Sequence, residues 1–401
     1  MQVSRRNAFL VLLLRQSRWT DWHRELLQDA RFDWHRFYEF LRKHRLREYV
    51  YSTIVNTALY HQLPDDFATK LHHYMKYSRR RRARLLKMLT SACEILQIEG
   101  IPHLVLKGPA LTHRVYPSAD YRHQGDADLL VREADSQSAY HALITNGFQP
   151  KRGRTRLNRS RIRTQHAIEV RQDGLPLDLH WAIRRGPDYR LSEQAIWRDR
   201  MSCELDATCR QVLSDEHLLV MILLSLLHDL GRGGLRLKSL LDLSLFVEQQ
   251  SEMVNSLEFW ERRNEEAIAQ HCRHILTICD AVLPGCGTEL NWREHLGAGD
   301  VSELERTRQL AWQLITEERG SIENALWFAR VHQLWRPKNA VWCFKQHLPS
   351  FRRAPLFSLR VINFCQRLLL RTLKKSFFPA SDITDGMIQR PYDERQRNSA
   401  A

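Results

Sequence analysis

No apolar stretch in the 401 residues approaches the roughly 20 needed to cross a bilayer, so the sequence offers no candidate membrane-spanning helix. The longest early run, "AFLVLLL" at residues 8–14, follows Arg5 and Arg6. It leads straight into "RQSRWTDWHRELL" with no small-residue cleavage site, and so reads as the apolar face of a first helix, not a signal peptide. None of the eight cysteines forms a Cys-x-x-Cys pair, and no histidine spacing beside them suits zinc. Most sit in apolar helical context, where a free thiol behaves as a small hydrophobe; a reducing cytoplasm is the expected compartment. No repeat of fixed period is present, and no recognisable nucleic-acid reader motif.

What is abundant is positive charge. Sixty-one basic side chains against 46 acidic ones leave a formal +15. That excess suits a polyanion, whether nucleotide, nucleic acid or anionic membrane surface, without choosing among them. A hydrophobic fraction of 43% and a charged fraction of 27% are those of a globular protein. The length exceeds one ordinary core and predicts two or three domains, or one domain with helical extensions.

Residues 1–100 carry apolar side chains three and four apart and read as helices, with Asp21, Asp33 and Asp65 as caps or first-turn acids. Arg79 to Arg82, with Arg84, read as a solvated face of the third helix. The pattern changes at "IPHLVLKG", a short apolar segment closed by Gly108. Residues 101–190 then read as strand, helix, strand, helix and two strands joined by the turn signal Asp173-Gly174: a small α/β unit. Residues 191–380 return to helical patterns, and the polar stretch 381–401 reads as a disordered tail.

The chemistry gathers in "LKGPALTHRVYPSADYRHQGDADLLV", residues 106–131. On a strand, Asp126 and Asp128 project to one face, while Ala127, Leu129 and Val131 project to the other. Two adjacent carboxylates repel unless something positive lies between them, and a divalent cation does that. Gly108, between an apolar strand and a helix start, lets backbone N–H groups approach a phosphate, with the Lys107 ammonium nearby. In "LPLDLHW", Asp178 supplies a third carboxylate, with His180 on its face and Leu177 and Leu179 turned to the core; Glu169 in "HAIEV" is the rival. His180 beside Trp181 reads as a packed strand residue, and His228-Asp229 as a helix-packing pair.

Strand, Gly turn, helix, Asp-x-Asp and a later strand Asp together resemble the nucleotidyltransferase superfamily that includes DNA polymerase beta. "LKG…Y…R…DADLLV" followed by "LDLHW" more closely resembles the bacterial family described as uncharacterised nucleotidyltransferases, whose members wrap helices around the catalytic unit. The resemblance implies an α+β fold: a small polymerase beta-like α/β core flanked by helical segments. It implies Mg²⁺ or Mn²⁺ at Asp126, Asp128 and Asp178, and an NTP bound at Lys107, Gly108 and Arg122. Arg122 also has a structural reading, as an ion-pair partner of Asp126. The wider superfamily usually places Gly-Ser or Gly-Gly at the phosphate turn; here it is Lys107-Gly108 followed by Pro109, as in the narrower family.

The expected reaction moves a nucleotidyl group from an NTP to an acceptor, which no motif identifies, and releases pyrophosphate. The alternative is a non-catalytic nucleotide- or partner-binding protein that keeps the fold. Residues 355–379, "PLFSLRVINFCQRLLLRTLKKSFFP", interleave an apolar stripe with basic side chains. They read first as a docked terminal helix and second as a peripheral contact with an anionic membrane.

Overall fold

The computed structural model describes residue 29 and residues 32–283, apart from 152–155, 187, 206–207 and 232–234. The early run at 8–14, the basic amphipathic stretch at 355–379 and the tail at 381–401 lie outside the described residues. No helix of the described residues is long and apolar enough to cross a membrane.

Among the described residues, three α-helices precede the sheet: α1 (Trp34–His44), α2 (Arg47–Ile54) and α3 (Asp65–Ile98). Asp33 caps α1, its carboxylate accepting from the Arg36 N–H at 2.9 Å. Asp65 and Asp66 open α3 against the positive end of the helix dipole. Along α3 the buried positions Phe67, Leu71, Met75, Leu85, Met88, Leu89, Ala92 and Leu96 keep helical spacing.

The sheet holds β1 (His103–Val105), β2 (Ala127–Val131), β3 (Gln149–Pro150), β4 (Ala167–Gln172), β5 (Leu175–His180), β6 (Met201–Leu205) and β7 (Thr208–Val212). Their spatial order is β3-β4-β5-β2-β1-β7-β6. β2 runs parallel to β5 and antiparallel to β1, and β4 and β5 form the expected hairpin. Its two turn residues, Asp173 and Gly174, both take positive φ, at 50° and 75°, which a two-residue hairpin turn matched to strand twist requires.

The connecting helices are α4 (Gly108–Val115), α5 (Ser136–Thr145), α6 (Arg159–Thr164) and α7 (Glu193–Arg198). After the sheet come α8 (Asp215–Gly231), α9 (Leu237–Gln249), α10 (Ser251–Asn255), α11 (Leu257–Glu265) and α12 (Ala269–Val282).

One departure from the sequence reading stands out. Residues 201–212, read as part of the helical return, form the β6–β7 hairpin, and β7 extends the sheet alongside β1. The hairpin forms one edge of the sheet, and most of its side chains are exposed or only partly buried. Few apolar residues are needed there, so the period-two signal is weak.

The two sheet faces have different surroundings. Ala127, Leu129, Val131, Leu177 and Leu179 pack with the second half of α3 and with α5. The opposite face joins a second cluster through Leu104, Leu106 and Leu130, together with the N-terminal helices and α8 to α12. The carboxylates lie on this second face, where the helical segments close over the sheet.

Candidate functional site

Strand register builds the site. Asp128 on β2 lies directly beside Asp178 on β5, and Asp178 directly opposite Glu169 on β4. Neighbouring residues in register point to the same face. Three carboxylates thus form a row across three strands, and Asp126 extends it from just before β2.

The members differ in environment. Asp128 is 5% exposed, Asp178 is partly buried and Asp126 is exposed. His180, 2% exposed, places Nε2 3.0 Å from Asp128 Oδ1. Ligand atoms of Asp128, Asp178 and His180 lie within 4.8 Å of one another, a spacing that a single metal ion can span. Asp126 stands outside this trio, though its charge reaches Asp178. Glu169 is the better neutralised of the two candidates for third carboxylate: Lys151 and Arg171 both pair with it, Arg171 at 2.7 Å.

Charge and burial pull the two central aspartates apart. Burial works to raise the Asp128 carboxyl, but the Lys107 ammonium, the His180 hydrogen bond and Arg184 outweigh it and hold it well below the usual carboxylate range. Asp178 goes the other way: burial first, then the charges of Asp128 and Asp126, push it up to about 7 against the pull of Lys107. Burial lowers His180 despite its carboxylate partner. A neutral imidazole therefore donates its Nε2–H to Asp128, and the buried Nδ1 has no partner. The His166 ring lies tilted 5.6 Å from His180 and edge-on 6.3 Å from His228, so the histidine of His228-Asp229 packs onto the rim of this site.

The turn before α4 faces the same row. Lys107 takes φ 36° and ψ −95°, a conformation costly for any residue with a Cβ, and its Nζ lies 3.9 Å from Asp128 Oδ1. Pro109 opens the helix, where its missing N–H costs nothing. Gly108 packs against Gln124: a Cβ there would meet Nε2 at 3.2 Å.

Arg122 has a different ion-pair partner from the one the sequence suggests. It is 6% exposed and forked onto Asp242 of α9, with Nε 2.8 Å from Oδ1 and Nη2 3.0 Å from Oδ2. Its Nη1 reaches the Gly108 carbonyl at 3.4 Å. The ion-pair partner is thus Asp242, not Asp126. Tyr116 Oη (2.7 Å) and Lys238 Nζ (2.9 Å) complete the shell of Asp242. A second buried node, also missed in the sequence, centres on Glu48, which accepts from Tyr74 and Ser78 and pairs with His123 at 2.7 Å. These nodes hold both ends of the segment between Gly108 and Asp126.

The donor set fits a divalent cation. Asp128 and Asp178 offer hard oxygens, which suit Mg²⁺ and Mn²⁺, and Lys107 already compensates Asp128. Residues 30–284 match the family described as uncharacterised nucleotidyltransferase. No curated protein matches the chain. Among solved structures, an antigenic nucleotidyltransferase-like protein from Paracoccidioides brasiliensis aligns at 17% identity, over 49% of this chain and 92% of its own, with a TM-score of 0.29.

Proposed function

The chain belongs to the family described as uncharacterised nucleotidyltransferases, and on that premise we propose that it transfers a nucleotidyl group from an NTP to an acceptor, with Mg²⁺ or Mn²⁺ as cofactor and pyrophosphate as co-product. The observation that carries this reading is the in-register pair Asp128 and Asp178, facing the strained Lys107-Gly108 turn.

Asp128 and Asp178 would hold the cation, with Asp126 completing the set from the exposed end of the row. When bound, the cation neutralises the triphosphate and lowers the cost of charge building up on the reacting oxygens. His180 fixes the orientation of Asp128 through its Nε2–H. Lys107 contributes its ammonium to the phosphates, beside the N-terminus of α4, whose dipole favours an anion. Arg122 acts on this turn from behind, through the Gly108 carbonyl. Positioning and charge account for most of the rate in such a site, with little covalent work left to the protein.

The test is an acceptor screen with each common NTP, labelled at the α-phosphate, in Mg²⁺ or Mn²⁺. Label appearing on an acceptor with matching pyrophosphate release is expected, with a loss of about a hundredfold or more in Asp128→Asn and Asp178→Asn. Metal-dependent NTP binding by wild type without transfer to any acceptor would favour the non-catalytic alternative. Neither binding nor transfer would remove the reading.

A further inference from the structure

The row of acids calls for a cation; beside its exposed end the N-terminal helices bring up a positive charge. Arg45 ends α1 with φ 58° and ψ 43°, a left-handed conformation that helix ends normally give to glycine. Its side chain runs to the loop before β2, where a Cβ built on Gly125 would lie 3.5 Å from Arg45 Nη1. Gly125 is the residue before Asp126. That loop is held from a second side by Arg81, whose Nη2 donates to the Gly125 carbonyl at 2.8 Å.

Arg45 is partly buried, yet its guanidinium makes no hydrogen bond or ion pair with the described residues. Burial and the Arg236 charge pull its pKa down, while Asp126 and Asp229 pull it back. A half-buried guanidinium with no hydrogen-bond partner among the described residues is relieved by an anion, as carboxylates in register are relieved by a cation, and a metal-bound polyphosphate carries both charges.

We propose that Arg45, set against the Gly125–Asp126 loop at the exposed end of the carboxylate row, binds the polyphosphate of the nucleotide. The N-terminal helical segment thereby contributes to the site. This rests on the nucleotidyltransferase reading above and adds to it a binding residue from outside the α/β core. A planar guanidinium suits the task because its forked donors match phosphate oxygens in pairs.

The probe is inorganic tripolyphosphate, titrated calorimetrically into the full chain with and without Mg²⁺, followed by ATP, GTP, CTP and UTP. Wild type is expected to bind tripolyphosphate more tightly with Mg²⁺, and Asp128→Asn to lose that metal dependence. Arg45→Ala should weaken binding about tenfold or more, as loss of a charge-assisted fork implies. Arg45→Lys should recover part of the loss. Arg36→Ala, which removes an exposed cation on the same helix, should change nothing and so controls for net charge. If Arg45→Ala folds poorly, Arg45→Lys and Arg45→Gln, matched by melting temperature, carry the comparison. Equal affinity in wild type and the Arg45 variants, with metal dependence intact, would overturn this assignment and leave the enzyme reading standing. No metal-dependent binding by wild type would overturn both.

Discussion

Asp178 stands between two carboxylates in register, Asp128 on one side and Glu169 on the other. Lys151 and Arg171 pair with Glu169, but among the described residues no such pair holds Asp178 against the charge of Asp128. In metal-free protein this repulsion works against the fold, so Asp178→Asn should raise the melting temperature in EDTA by a few degrees; about 1 kcal/mol moves a domain of this size by roughly 2–4 °C. Added Mn²⁺ should raise wild type and leave the variant nearly unmoved. Equal metal-induced shifts in the two proteins would take Asp178 out of the metal set. The face on which Asp128 lies was legible because strand periodicity alternates sides, and Ala127, Leu129 and Val131 turn to the core as that period requires; that Asp126 stands outside the Asp128, Asp178 and His180 cluster was not. Asp242 was not legible. It meets Arg122 across 120 residues, and nothing in the local pattern of "LLDLSLF" announces a buried acid with a distant partner.

At the scale of elements, the helices do more than flank the sheet. Arg79 to Arg84, read as a solvated face, largely grip the loops around the site: Arg79 and Arg82 pair with Asp120, Arg81 donates to Gly125, and Arg84 to the Asp173 carbonyl. Composition could not separate a solvated basic face from one whose arginines reach carbonyls far along the chain. α1 and α9 meet through His44, 1% exposed, whose Nδ1 accepts from the Leu237 N–H at 3.3 Å. Burial first, then the charges of Lys43 and Arg236, push His44 down to about 3. Its folded pKa lies below the unfolded value, near 6.5. The stability it carries is therefore full above about pH 6.5 and is lost as pH falls from there toward 3. One such proton costs at most about 1.4 kcal/mol per pH unit. Urea unfolding at pH 7 and pH 5 should show a smaller loss for His44→Gln, which keeps an uncharged acceptor, than for wild type. Parallel losses would show that His44 remains unstrained on acidification.

At the scale of the whole molecule, α3 joins the sheet strands β1 and β2 in linking the two cores of the described residues. Its 34 residues span about 51 Å at the usual rise of roughly 1.5 Å each. The first half buries Phe67, Leu71 and Met75 among the N-terminal and C-terminal helices; the second buries Leu85, Leu89 and Leu96 under the far face of the sheet. The amphipathic spacing of this helix was readable in the sequence, but its division between two cores was not, since both halves show the same period. A continuous helix cannot keep one half ordered at full strength while the other loses its packing, because each turn's hydrogen bonds lean on the next. Loss of either core should therefore unfold the other. Leu71 and Leu85 are both fully buried, and truncating either to alanine should cost about 2–5 kcal/mol. On this reasoning Leu71→Ala and Leu85→Ala each lower the midpoint of a single transition, seen together by tryptophan fluorescence and far-ultraviolet circular dichroism. Trp260 lies in the first core and Trp181 in the second, so fluorescence reports on both. Two resolved transitions, with each variant moving only its own, would show that the helical layer and the sheet unfold independently and that α3 breaks between Met75 and Leu85.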